Sequence, residues 1–168
     1  GLCEARTAFS ILSTVLSTSG IEILPLLSIG CYIHHNRDRI VNLALENNCS
    51  HLWFCDSDMM FPPHTLNQLM SHDVDIVGAR YNKRVDGAIS TVPQEITELT
   101  AVPFVPTGCL LIHGSLIKAM WNESEEYMLG GFKTRRVFDT PRTAWSDPET
   151  GSFNTSSGTS DLEWCTRV

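Results

Sequence analysis

The sequence predicts a three-layer α/β/α domain, with helices on both faces of a mainly parallel sheet. Apolar segments of helical period alternate with short, continuous apolar runs along most of the chain. Those runs are bounded by Gly, Pro or acidic residues, as expected for strands buried on both faces. The clearest, His51-Leu52-Trp53-Phe54-Cys55, stops abruptly at Asp56-Ser57-Asp58. A strand that delivers polar side chains at its C-terminal end has this form, and open α/β sheets bind ligands at that end.

The elements follow in order. From Cys3 to Thr18, Phe9, Leu12, Val15 and Leu16 fall on one helical face, and Gly20 supplies a stop. Ile21–Leu27, rich in branched residues between Gly20 and Gly30, predicts a buried strand. A second helix is expected over 36–47, with Ile40, Val41, Leu43 and Leu45 as its apolar content. After the His51–Cys55 strand, Pro62-Pro63 opens a helix in which Leu66, Leu69 and Met70 face inward, because a missing N–H costs nothing in a first turn. Asp75–Ala79 reads as another strand, and the basic loop Arg80–Arg84 follows it. Val102–Val105 and Cys109–Ile112 are strand-like pieces around Pro106-Thr107-Gly108, and Ser115–Trp121 is a short helix. Gly130–Gly158, rich in Gly, Ser, Thr, Pro and Asp, predicts one long flexible loop. Ser160-Asp161-Leu162-Glu163 has the S-x-x-E spacing that opens a helix.

Composition narrows the function classes. A chain of 168 residues with 42% hydrophobic and 18% charged residues has the make-up of one packed domain. Its 12 basic and 19 acidic residues give a formal charge of −7, which disfavours nucleic acid as a partner. Glu22, Pro25 and the Ser17-Thr18-Ser19-Gly20 break interrupt the apolar stretch from Thr7 to Ile33, so no membrane segment is expected. No basic leader with a small-residue cleavage site precedes that stretch, and a cytoplasmic location is the expectation. Cys31, Cys55, Cys109 and Cys165 sit in apolar runs without a C-x-x-C pair, which favours buried free thiols over a disulfide framework.

Two carboxylates one residue apart on a loop leaving a strand can converge on a hard divalent cation that prefers oxygen ligands. Asp56 and Asp58 are placed for this. Asp73 and Asp75 share the spacing but precede their strand, at the opposite end from the expected ligand edge, and read as a solvated turn. Arg37, between a strand and a helix, sits where nucleotide-binding folds gather base and phosphate contacts. Arg80, Lys83 and Arg84 follow a strand and suit phosphate oxygens. His34 and His35, read as extended, would point to opposite faces, which disfavours joint metal binding.

Taken together, the run from His51 to Phe61, the Pro-initiated helix and Asp75-Ile76-Val77-Gly78-Ala79-Arg80-Tyr81 resemble the centre of family-2-like GT-A glycosyltransferases. Pro106–Ile112 resembles that family's small-residue-rich strand before a helix, and Ser160–Arg167 resembles its Glu-Asp-x-x-Phe-Cys-x-Arg helix start. The resemblance spans roughly residues 30 to 168 and implies a domain truncated at both ends. It implies transfer of a sugar from a nucleoside-diphosphate donor, UDP- or GDP-linked, to a carbohydrate or other hydroxyl acceptor. Mn2+ or Mg2+ would be held by Asp58, with Asp56 aiding the metal or the nucleotide and Asp161 acting as general base; Arg37 and Lys83, by their positions beside strands, are the candidates to contact the donor. Ser160 stands where the family carries Glu, and Glu163 is a substitute carboxylate or a capping-box partner. Two other readings use the same acids. A haloacid-dehalogenase-type phosphohydrolase would use Asp56 as nucleophile, and a non-catalytic domain would bind nucleotide or metal without turnover.

Overall fold

The computed structural model describes residues 4–30, 32–81, 98–102 and 105–139, together with the backbone of two further strands, 142–146 and 153–157. Its first seven elements run α1 (Ala5–Ser17), α2 (Ile33–Glu46), β1 (His51–Cys55), α3 (Thr65–Ser71), β2 (Ile76–Gly78), β3 (Cys109–His113) and α4 (Gly114–Glu123). Four short strands follow: β4 (Glu126–Leu129), β5 (Phe132–Arg135), β6 (Arg142–Ser146) and β7 (Phe153–Ser157). The chain is therefore mixed α/β, with three small sheets.

The direction of the central sheet corrects the expectation of mainly parallel strands. Its order is β1-β3-β2, and β3 runs antiparallel to both neighbours, with Cys55 opposite Cys109 and Gly78 opposite Leu110. A continuous apolar run signals burial on both faces and carries no information about strand direction. β1 and β2 still point the same way, joined through α3, and β3 has entered between them.

Alternate residues of β3 build two cores. Leu110 and Ile112 pack with Leu52 and Phe54 of β1, Val41 and Ala44 of α2, Ile117 and Met120 of α4, and Val137 and Phe138. On the other face Cys109 and Leu111 pack with Val77 and with Leu66 and Leu69 of α3. Thus α2 and α4 share one side of the sheet and α3 takes the other. Gly114 lets α4 start hard against the turn before β1, since a Cβ there would lie 2.7 Å from the Cys49 carbonyl oxygen and 2.9 Å from that of Ser50.

Other expectations need revision. Residues 21–30 lie in no helix or strand. Ile23 and Leu26 touch the cores from there, but Pro25 removes a donor from the middle of any ladder. Val102 and Val105 are likewise outside any strand, and α3 starts two residues after Pro63. The Gly130–Gly158 stretch holds β5, β6 and β7, because strands rich in Thr, Ser and Arg give no apolar signal. Helix α1 forms as expected with an inverted face: Thr7, Ser10 and Thr14 are buried, while Phe9 and Leu16 are 71% and 77% exposed. Among the described residues no helix is long and apolar enough to cross a membrane.

Candidate functional site

β1 ends where its sequence turns acidic, and the acids form a tight turn. The Asp56 carbonyl accepts from the Met59 N–H at 3.2 Å, which makes Ser57 and Asp58 the exposed corners of a β-turn. Asp is favoured at the first position of such turns. Two further backbone bonds fasten it: the Asp56 N–H donates to the Gly108 carbonyl at 3.1 Å, and the Glu4 N–H, at the start of α1, donates to the Ser57 carbonyl at 2.9 Å.

The same sheet edge gathers the end of β2. The Ala79 N–H donates to the Cys109 carbonyl at 2.9 Å, so Arg80 and Tyr81 leave β2 beside Pro106-Thr107-Gly108. A Cβ on Gly108 would lie 2.6 Å from the Tyr81 hydroxyl oxygen, so glycine is what allows the phenol to lie against this backbone. Thr107 is fully buried. The loops predicted from Asp56-Ser57-Asp58, from Arg80 and from Thr107-Gly108 thus meet at one edge.

Arg37 reaches this edge from α2. Arg37, Asp38, Val41 and Ala44 form the buried row of that helix, a spacing of three to four residues. The Arg37 guanidinium lies 3.7 Å from Asp56 Oδ1, and its side chain is only 6% exposed against 39% for Asp56. The guanidinium carbon is also 5.8 Å from the centre of the Phe138 ring. A buried guanidinium needs a counter-charge, and Asp56 provides one.

Asp38 is the residue that sequence reasoning missed. It is fully buried, accepts from the Tyr127 hydroxyl at 2.7 Å on Oδ2, and accepts from the Phe138 N–H at 2.8 Å on Oδ1. Burial is the main cause that pushes its carboxyl from 3.8 up to about 7, against the lowering effect of these hydrogen bonds. Asp38 therefore ties the β4–β5 hairpin and Phe138 to α2. Its position three residues before Val41 was the one sequence signal of an inward-facing acid. Glu4 was missed as well, since nothing local predicts a backbone bond to a turn more than fifty residues away.

Other groups are placed away from this chemistry. Burial raises the thiol pKa values of Cys55 and Cys109, so both are inert at neutral pH. Cys49, Cys55 and Cys109 are free thiols, while Cys31 and Cys165 lie outside the described residues. Asp73 and Asp75 are exposed at the far end of the sheet, where the Asp75 carbonyl accepts from the His113 N–H at 2.8 Å. At that far end an open cleft of about 470 Å³, lined by His113, Ser115, Lys118 and Trp121 among others, contains none of the predicted site residues. His34 and His35 are helical, not extended, and their rings stack edge to face at 4.3 Å.

Lys83, Arg84, Ser160, Asp161 and Glu163 lie outside the described residues. Among those described, no group of three or more His, Cys, Asp or Glu side chains is placed to hold a metal ion. The turn leaves Ser57 and Asp58 exposed. Carboxylate and hydroxyl oxygens are the donor types that suit a hard cation, which takes its remaining ligands from water and phosphate oxygens. No protein-family model matches this chain, and no curated protein or solved structure shows significant similarity to it.

Proposed function

We propose that the chain belongs to a metal-dependent glycosyltransferase of the GT-A type, which moves a sugar from a nucleoside diphosphate to an acceptor hydroxyl. The observation that carries this reading is the acidic turn at the C-terminal end of β1, backed by a buried guanidinium and at the same sheet edge as Arg80, where the chain leaves β2. Anionic ligands and their counter-cations are received at such an edge. In this reading Asp58 holds Mn2+ or Mg2+, Arg80 and Lys83 meet the diphosphate, and Asp161 removes the acceptor proton. The metal, when bound, supplies positive charge for the diphosphate leaving group. The phosphohydrolase alternative needs Asp56 as a free nucleophile, and the Arg37 guanidinium 3.7 Å away already engages that carboxylate. A non-catalytic binder would share the site, and release of nucleoside diphosphate from a donor sugar separates the two.

Calorimetry with UDP or GDP in the presence of Mn2+ tests the reading. Asp58→Ala is expected to weaken binding by about tenfold or more, the scale of one lost charge-assisted contact. Asp75→Ala, at the far end of the sheet, should leave it unchanged. Equal effects of the two substitutions, or no binding by the wild-type chain, would overturn the assignment.

A further inference from the structure

Helix α1 turns a polar face to the core and keeps its apolar face outside. Thr7, Ser10 and Thr14 are its buried residues, and neither Thr7 Oγ1 nor Thr14 Oγ1 has a hydrogen-bond partner among the described residues. Both ends are fastened in this orientation: the Glu4 N–H donates to the Ser57 carbonyl at 2.9 Å, and the Asn67 amide donates to the Ser17 carbonyl at 3.5 Å. Ala5, Phe9, Leu12 and Leu16 are left exposed. Their spacings of four, three and four residues trace the seam along which one helix packs against another. Arg6 is the one charged residue of α1, whose first turn has no acid and whose last turn has no base. Its charge therefore opposes the positive end of its own helix dipole, while the negative end has no cation from the helix itself.

We propose that this face of α1 is an interface between two copies of the chain, paired as antiparallel helices about a two-fold axis. The inference is independent of the sugar-transfer reading. In that arrangement Phe9 of each copy packs beside Leu12 of the other, and Ala5 beside Leu16 of the other, so the seam is complementary to itself. The flanks match as well. Ala8 and Val15 meet across one side, and on the other side Arg6 comes beside Ser13, at the level of the second copy's last turn. The guanidinium then lies at the negative end of a helix dipole, the position its own helix denies it. A membrane surface suits the face less well, because interfacial helices carry several Lys or Arg on their polar side and α1 has only Arg6. A seam of 13 residues is short against the about 800 Å² per partner of a standard interface, so the association is weak and concentration-dependent.

The test is sedimentation equilibrium of the full chain from about 1 μM to about 500 μM, with thermal melting of dilute samples to report folding. The wild-type chain should pass from monomer to dimer mass and stop there, because a two-fold contact closes on itself. Phe9→Lys and Leu16→Lys should each weaken the dimer by about tenfold or more and leave the melting temperature near wild type. Arg6→Glu should weaken it by about threefold while raising the melting temperature of the dilute monomer, since a carboxylate suits its own helix N-terminus. Ser13→Glu should tighten the dimer by about threefold, because the introduced carboxylate meets Arg6 of the other copy. Parallel helices would not bring those two positions together, so Arg6→Glu and Ser13→Glu both without effect on the dimer would overturn the antiparallel arrangement. A wild-type chain that stays monomeric over the whole range overturns the proposal, and binding to phosphatidylserine vesicles in its place would make the face a membrane contact. Association that Phe9→Lys and Leu16→Lys both leave unchanged overturns it too, by placing the contact elsewhere. So does a strong loss of melting temperature in dilute Leu16→Lys, which would mean that another segment of the same chain covers the face.

Discussion

Asp38 gives a quantitative handle on how α2 is tied to the rest of the chain. Its carboxyl is moved from 3.8 to about 7 in the folded state, chiefly by burial. A folded-state pKa raised above the unfolded value means that the stability from this group is fully present below about 3.8 and is lost as pH rises through about 7. At about 1.4 kcal/mol per pH unit, the whole effect is on the order of 4 kcal/mol. Asp38→Asn removes the charge and keeps the shape: its carbonyl can still accept from the Phe138 N–H, and its amide can donate to the Tyr127 oxygen. The variant should therefore gain on wild type as pH rises, by roughly 3 to 4 kcal/mol between about pH 4 and pH 7.5. Urea unfolding of both proteins at several pH values measures this difference, and the other titrating groups cancel in the comparison. Parallel stability curves for the two proteins would refute the argument, because they would mean that Asp38 is equally solvated in the folded and unfolded chains.

Further expectations concern packing. Gly114→Ala should destabilise the chain by about 1 to 3 kcal/mol, since its Cβ would press on the backbone oxygens of Cys49 and Ser50, which cannot rotate away. Gly130→Ala, with open space around the added Cβ but φ at +55°, should cost less, about 1 kcal/mol; urea midpoints of the two variants test the order. On α1, Leu16→Lys should change stability by less than about 0.5 kcal/mol, because the side chain is 77% exposed. Light scattering should also show less concentration-dependent association for this variant, since it breaks an exposed apolar stripe.

The residues explain which features were legible. The β1 run and the inward face of α3 could be read because burial imposes a period on a continuous segment, and Leu66 and Leu69 are buried as that period requires. On α2 the reading was partial: of Ile40, Val41, Leu43 and Leu45 only Val41 is fully buried, and the buried row is completed by Arg37, Asp38 and Ala44. The same logic misled at α1. Its apolar row was visible, yet the helix docks through Ser10, whose hydroxyl accepts from the Phe61 N–H at 3.4 Å, and turns Phe9 and Leu16 outward. Periodicity identifies a face but cannot say which neighbour it meets.

By itself the sequence determined that this is a mixed α/β chain, that β1 ends in a pair of acids, and that Arg37 lies near the start of the helix before β1. These are local facts, fixed by the residue types that a short segment can bury or expose. Only the tertiary structure decided that β3 enters antiparallel between β1 and β2, so that the acidic turn, Arg80 and Gly108 share an edge. It alone decided that Arg37 meets Asp56 and that Asp38 is closed off from water by Tyr127 and Phe138. The physical reason is common to both: strand direction and the partner of a buried charge are set by contacts between residues tens of positions apart, and these leave no periodic trace along the chain.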